Sequence, residues 1–137
     1  MSRTVKSTKI RFANEKDLRS LLILAEEFMP KEADDTKRVN VLKQALRNPD
    51  YEVLVAELEG EIVGFIDQWV MQDFTHGAKH SYIHNLYVSS KHRRKGVASK
   101  LLREAMKNAK IGESQRFTSQ LDSTTSLLSN YTKSMVW

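Results

Sequence analysis

Arg93-Arg94-Lys95-Gly96-Val97-Ala98 is the stretch of this chain whose residue types and spacing most clearly point to chemistry. It follows the apolar run Ile83-His84-Asn85-Leu86-Tyr87-Val88 and leads directly into Ser99-Lys100-Leu101-Leu102, so the pattern R-x-x-G-x-A joins a strand to a helix. The first turn of a helix has backbone N–H groups without intrahelical partners, and the positive end of the helix dipole lies behind them. A pyrophosphate fits such a site. Gly96 lets the backbone approach an anion closely, Ala98 keeps the first turn small, and Arg93, Arg94 and Lys95 add positive charge. The pattern is neither G-x-G-x-x-G nor G-x-x-x-x-G-K-[ST], which excludes the dinucleotide and nucleoside-triphosphate loops. Other chemistry is sparse. The chain has no cysteine, hence no disulfide, no thiol nucleophile and no thiolate metal site. Its four histidines lack metal-ligand spacing: His76 and His80 are four apart, but in a polar segment with no glutamate between them. No metal is expected.

The elements that must hold this loop can be read along the chain. Lys9 to Ala13 reads as a short strand. Asn14 or Asp17 can cap a helix with Leu18, Leu21, Leu22, Leu24, Ala25 and Phe28 at helical spacing, ended by Pro30. Asp34 and Asp35 open a second helix with Val39, Leu42, Ala45 and Leu46 on one face, closing at Asn48-Pro49. Tyr51 to Leu58 and Glu61 to Met71 form a hairpin turning at Glu59-Gly60. Asp73 to His80 is polar, contains Gly77, and reads as a loop. Ser81 to Val88 is the next strand, and Val97 to Ala109 the helix after the anion loop. The 137 residues amount to one domain, with no internal repeat or linker.

The net charge of +5 is uneven. Lys91 to Lys110 carries +7 and the remainder −2, so the basicity belongs to the anion loop and its helix. No aromatic residue lies between Lys91 and Lys110, which argues against a nucleic-acid footprint. No apolar run approaches the ~20 residues that span a bilayer, and Met1 to Lys9 lacks the apolar core of a signal peptide, so a cytoplasmic location is expected.

Together, R-x-x-G-x-A, the strand before it, the helix after it, the hairpin Val55 to Phe65, Ile10-Arg11-Phe12-Ala13 with Asp17-Leu18-Arg19, and the helical stretch Leu21 to Phe28 resemble the GNAT superfamily of acetyl-coenzyme A dependent N-acetyltransferases over roughly residues 8 to 112. The resemblance implies an α/β (α+β) fold with a central mixed, mostly antiparallel sheet flanked by helices, the final strands missing or altered. It implies acetyl-CoA as cofactor, held by Arg93, Arg94, Lys95, Gly96, Val97, Ala98 and Ser99. Main-chain groups of Leu86, Tyr87 and Val88 would hold the pantetheine arm and polarise the thioester carbonyl, their side chains being strand core. The acceptor would be a small-molecule or peptide amine, with neither membrane nor nucleic acid as partner; a homodimer is compatible with the chain. An acyl-CoA-binding protein of the same fold without catalysis is the alternative, and a basic nucleic-acid module a third.

Many members place a tyrosine acid on the last helix, and Tyr131 stands near that distance from Gly96. Where many carry a glutamate base before the loop, this chain has Tyr82, His84 and Asn85. His84 is the best substitute, because imidazole as a group suits a base near neutral pH, with Asp67, Asp73, His76 and His80 able to act through water. Phe28 to Asp35, Asp73 to Lys79 and the tail would select the acceptor. Asp34, Asp35 and Asp73 could attract a cationic amine, and Trp69 and Phe74 could line the same cleft. After Gly112, serine and threonine dominate and apolar periodicity fades. Codons chosen for Glu113 to Trp137 and read two bases on permit EPEIHVTTRLDNKSAIELYEKYGL, which is similar to the segment the family has there. The tail therefore reads as frameshifted, and truncated relative to the family.

Overall fold

The computed structural model of the protein describes residues 7–111 and 135–136, with side chains over 7–109. Its strands are β1 (Lys9–Phe12), β2 (Tyr51–Leu58), β3 (Glu61–Asp73), β4 (Ala78–Val88) and β5 (Met135–Val136). Its helices are α1 (Leu18–Phe28), α2 (Asp35–Leu46) and α3 (Val97–Ile111). The strands lie in the order β1-β2-β3-β4-β5, antiparallel from β1 to β4, with β5 parallel to β4. This is the mixed, mostly antiparallel sheet flanked by helices that the sequence leads one to expect.

Strand side chains alternate between faces, so the sheet builds two cores. On one face Leu54, Ala56, Ile66, Leu86 and Val88 pack against Val97, Leu101 and Ala105 of α3, which recur every fourth residue and so form one stripe. On the other, Val53, Val55, Phe65 and Tyr87 meet Leu21 and Leu24 of α1. Gly64 makes the α3 face possible. A Cβ there would lie 2.9 Å from the Tyr87 carbonyl oxygen and 3.4 Å from Leu101 Cδ1, so only glycine lets β3, β4 and α3 come this close.

The chain enters the sheet through a charged joint. Arg11 on β1 reaches both carboxylate oxygens of Asp17, at 2.8 and 2.9 Å, and donates to Glu57 on β2 at 2.8 Å. Asp17 also accepts the Asn14 N–H in a capping box. The Arg11 hydrogen bonds hold the buried Asp17 carboxyl below its ordinary range against the cost of desolvation. Asp34 caps α2 by accepting the Lys37 N–H at 2.8 Å.

One element departs from expectation. Asp73 to His80, read as a loop, is mostly hairpin: β3 runs to Asp73, β4 starts at Ala78, and Met71, Gln72 and Asp73 pair with His80, Lys79 and Ala78. Both faces are largely solvent-exposed there, so the apolar alternation that marks a strand is absent while the ladder continues. The turn closes through Gly77, at φ +59°, whose N–H bonds the Phe74 carbonyl.

Candidate active site

β4 ends at Val88, a short 3-10 turn covers Ser90–His92, and the chain reaches α3 through Arg94 at φ +63° and Gly96 at φ +80°. The first intrahelical bond of α3 runs from Lys100 N–H to the Gly96 carbonyl, so the N–H groups of Val97, Ala98 and Ser99 precede the helical ladder. A cavity of about 170 Å³ lies here, lined by Arg93, Arg94, Gly96, Val97, Ala98 and Ser99, with Val88 and His92 at its edge. A Cβ on Gly96 would meet no atom within 4 Å, so the glycine is there for its backbone angle and the open space before it. The loop thus has the form an anion requires, and the pyrophosphate of coenzyme A fits its open backbone and charge.

Two of the basic residues differ in how they are placed. Arg93, expected to add positive charge, is anchored: its Nε–H donates to the Val88 carbonyl at 2.9 Å and its guanidinium lies 5.2 Å from the centre of the Tyr87 ring. Lys95 is exposed and outside the lining of the cavity.

Leu86, Tyr87 and Val88 have buried side chains, as strand core requires. Their outer edge is paired with β5 at Leu86 and Tyr87. Among the described residues, no strand pairs the outer edge of β4 before Leu86. The Tyr87 hydroxyl donates to Glu27 at 2.7 Å, and Glu27 also accepts the Ser90 N–H at 3.1 Å, so α1 grips the end of β4 and the turn that leads to the loop. Burial and this carboxylate push the Tyr87 phenol up to about 12, while hydrogen bonds from Tyr87 and Ser90 hold the Glu27 carboxyl low.

Midway along β4 the ladder breaks. Asp67 pairs with Asn85 and Gln68 with Ile83, which leaves His84 as the extra residue of a bulge. Ile83 and Leu86, three apart, therefore pack on the α3 face, while Asn85 turns to a cavity on the α1 face. A buried carboxylate holds the bulge in shape. Asp67 accepts the Asn85 N–H at 2.7 Å, the Asn85 side-chain amide at 3.3 Å and a short hydrogen bond from the Tyr51 hydroxyl. Burial pushes the pKa of both Asp67 and Tyr51 upward, despite the hydrogen bonds that favour the Asp67 carboxylate.

The cavity beside Asn85 has a volume of about 370 Å³ and lies between α1, α2 and the sheet. Its wall is chiefly apolar, with Leu21, Phe28, Leu42 and Phe65 contributing, while Tyr51 and Asn85 supply polar groups and Glu32, Lys37 and Arg38 stand among its polar lining. Glu27 and Tyr51 were not singled out from the sequence. Neither sits in a motif, and both are recruited by partners 16 or more residues away.

The remaining expected residues scatter. His84 is exposed on the bulge. Asp34 is occupied in capping, Phe74 is 93% exposed, and Trp69 packs against Tyr51 with ring centres 4.4 Å apart, so none of these lines the α1-side cavity. Asp73 is tied to His76 and His80 at the hairpin end, away from the bulge. Tyr131 and the tail from Glu113 lie outside the described residues, apart from β5.

The comparisons agree with this geometry. Residues 17–126 match the model of the acetyltransferase (GNAT) family. A search of the curated proteins finds no match. Among solved structures, the chain is similar to the aminoglycoside N-acetyltransferase AAC(6')-Iy in complex with CoA, at 18% identity and TM-score 0.73, covering 84% of this chain and 77% of that one. It is similar to the ribosomal-protein-alanine N-acetyltransferase of Brucella melitensis biovar Abortus 2308, at 22% identity and TM-score 0.63, covering 76% and 72%. An aminoglycoside acetyltransferase from an uncultured soil metagenomic sample, in complex with sisomicin, shares 28% identity at TM-score 0.62, covering 73% and 68%. With a strand-loop-helix anion site, a bulged β4 and a family match over most of its length, this chain belongs to the GNAT acetyltransferase family.

Proposed function

We propose that the protein transfers an acetyl group from acetyl-CoA to a primary amine, the amine attacking the thioester directly in a ternary complex. The observation that carries this reading is the pair of features on one strand: the anion loop at the end of β4 and, a few residues before it, a bulge beside a chiefly apolar cavity. Bound acetyl-CoA supplies the activated acetyl group. The N–H groups of Val97, Ala98 and Ser99, with Gly96 and Arg94, hold its pyrophosphate, Lys95 adds positive charge from outside the cavity, and Arg93 secures the loop to β4. Main chain of Leu86 to Val88 lies along the pantetheine arm, which requires β5 to part from β4 at Leu86 and Tyr87.

The amine enters the cavity between α1, α2 and the sheet. Its apolar wall favours an amine on an aliphatic or aromatic body, with Asn85 and Tyr51 orienting the polar end. His84 takes the amine proton as the N–C bond forms, and Asp67 keeps the bulge that presents it. Tyr131 returns a proton to the departing sulfur. A phenol can do so only when it is close, because its ordinary pKa, ~10, lies above that of a thiol at ~8.5. The segment from Glu113 is a frameshifted reading of the family's last helix, and resequencing the gene through that codon tests this.

Release of free thiol from acetyl-CoA, followed with a panel of primary amines, tests the whole reading. Amine-dependent thiol release is expected, with kcat lower by about 10²-fold in His84→Ala. Tight acetyl-CoA binding with no turnover on any amine would instead favour the acyl-CoA-binding alternative.

A further inference from the structure

At the far end of the β3–β4 hairpin, Asp73, His76 and His80 face one another. One carboxylate oxygen, Asp73 Oδ2, lies 2.6 Å from His76 Nδ1 and 2.9 Å from His80 Nε2. The three donor atoms all fall within 4.8 Å of one another. The other oxygen, Oδ1, is held by the Thr75 hydroxyl at 2.6 Å and the Thr75 N–H at 3.1 Å, which fixes the carboxylate plane and aims Oδ2 at the imidazoles. His80 is mostly covered, its side chain 13% exposed, while His76 is 50% exposed and leaves one side open to solvent.

We propose that Asp73, His76 and His80 form a binding site for a divalent transition metal of the zinc class, with solvent as the fourth ligand. Two imidazoles and a carboxylate are a ligand set that zinc accepts in open sites. Metal–ligand distances of about 2.0–2.2 Å place neighbouring donors of a tetrahedron roughly 3.3–3.6 Å apart. The two carboxylate–imidazole pairs, at 2.6 and 2.9 Å, must open by about 0.4–1.0 Å to reach that spacing. On binding, the proton at His76 Nδ1 and at His80 Nε2 passes to solvent, and the freed lone pairs and Oδ2 take the metal. Thr75 acts behind the carboxylate as an orienting partner. Sequence spacing hides the site, because the third ligand comes from the end of β3 and the turn folds His76 back onto it. His80 and the bulge lie on the same strand at a separation of roughly 3.3 Å per residue, so the metal would staple the hairpin tip rather than join the acetyl site.

Calorimetric titration of Zn²⁺ alone into the untagged, chelator-stripped full chain tests the proposal, with wild type, His76→Ala, Asp73→Asn, His80→Ala and His84→Ala compared. Binding of one equivalent by wild type and by His84→Ala is expected, weakened at least about tenfold in the other three variants. His76→Ala carries the decision if His80→Ala unfolds, because His76 sits at the exposed tip. In wild type, zinc should also shift the imidazole ¹⁵N resonances of His76 Nδ1 and His80 Nε2. Absence of saturable uptake by wild type, or undiminished uptake by His76→Ala and Asp73→Asn, would overturn the proposal and leave the cluster as an ion-paired hairpin lock.

Discussion

Asp67 is the residue on which the geometry of the bulge depends. It is buried, and it accepts from two part-buried donors, the Asn85 N–H and the Tyr51 hydroxyl. Replacing it by alanine strands both, which should cost roughly 2–5 kcal/mol in urea denaturation. Asp67→Asn keeps the shape but removes the charge. It should fold and lower kcat more than it raises KM, because in the proposed reaction the bulge positions the reacting groups rather than the coenzyme. Equal losses in both constants would place Asp67 outside the reaction. The sequence offers no sign of this role, since the aspartate, the tyrosine and the asparagine meet only after three strands pair with one register shift. The anion loop is the opposite case. Arg94, Gly96, Val97, Ala98 and Ser99 lie within one short stretch of sequence, and the proposed binding is by backbone, so residue types alone made it legible.

At the scale of elements, the joint between β1, the turn before α1 and β2 rests on Arg11, Asp17 and Glu57. Asp17→Ala removes a cap and leaves the guanidinium half-answered, at an expected cost of roughly 2–4 kcal/mol. The pH dependence follows from the lowered pKa of Asp17. A carboxylate held low in the folded protein contributes stability that is full above the unfolded value of ~3.9 and is lost as pH falls through the folded one. Wild type should therefore lose stability below about pH 4 more steeply than Asp17→Asn, measured by thermal melts across pH 2–6. The helices and central strands were readable because α1 and α3 carry apolar residues at helical spacing and β2 and β3 are apolar between turn residues. The hairpin extension past Met71 was not, because its pairing is held by main chain between polar residues on exposed faces.

For the whole molecule, charge is concentrated where the coenzyme would bind: Lys91 to Lys110 carries +7 while the rest is slightly acidic. Acetyl-CoA affinity should fall several-fold as salt rises from 50 to 500 mM, since the Debye length shrinks to a few ångströms. Titrations at the two salt concentrations check this, and an unchanged affinity would mean that the patch takes no part. The most direct test of the account is calorimetric titration of acetyl-CoA into wild type and Gly96→Val. At φ +80° a β-branched residue is strained, and its side chain would enter the space before the α3 N-terminus. Saturable one-to-one binding in wild type, weakened at least about tenfold in a Gly96→Val protein whose circular dichroism is unchanged, is the predicted result. Equal affinities in the two, or no binding by folded wild type, would contradict it.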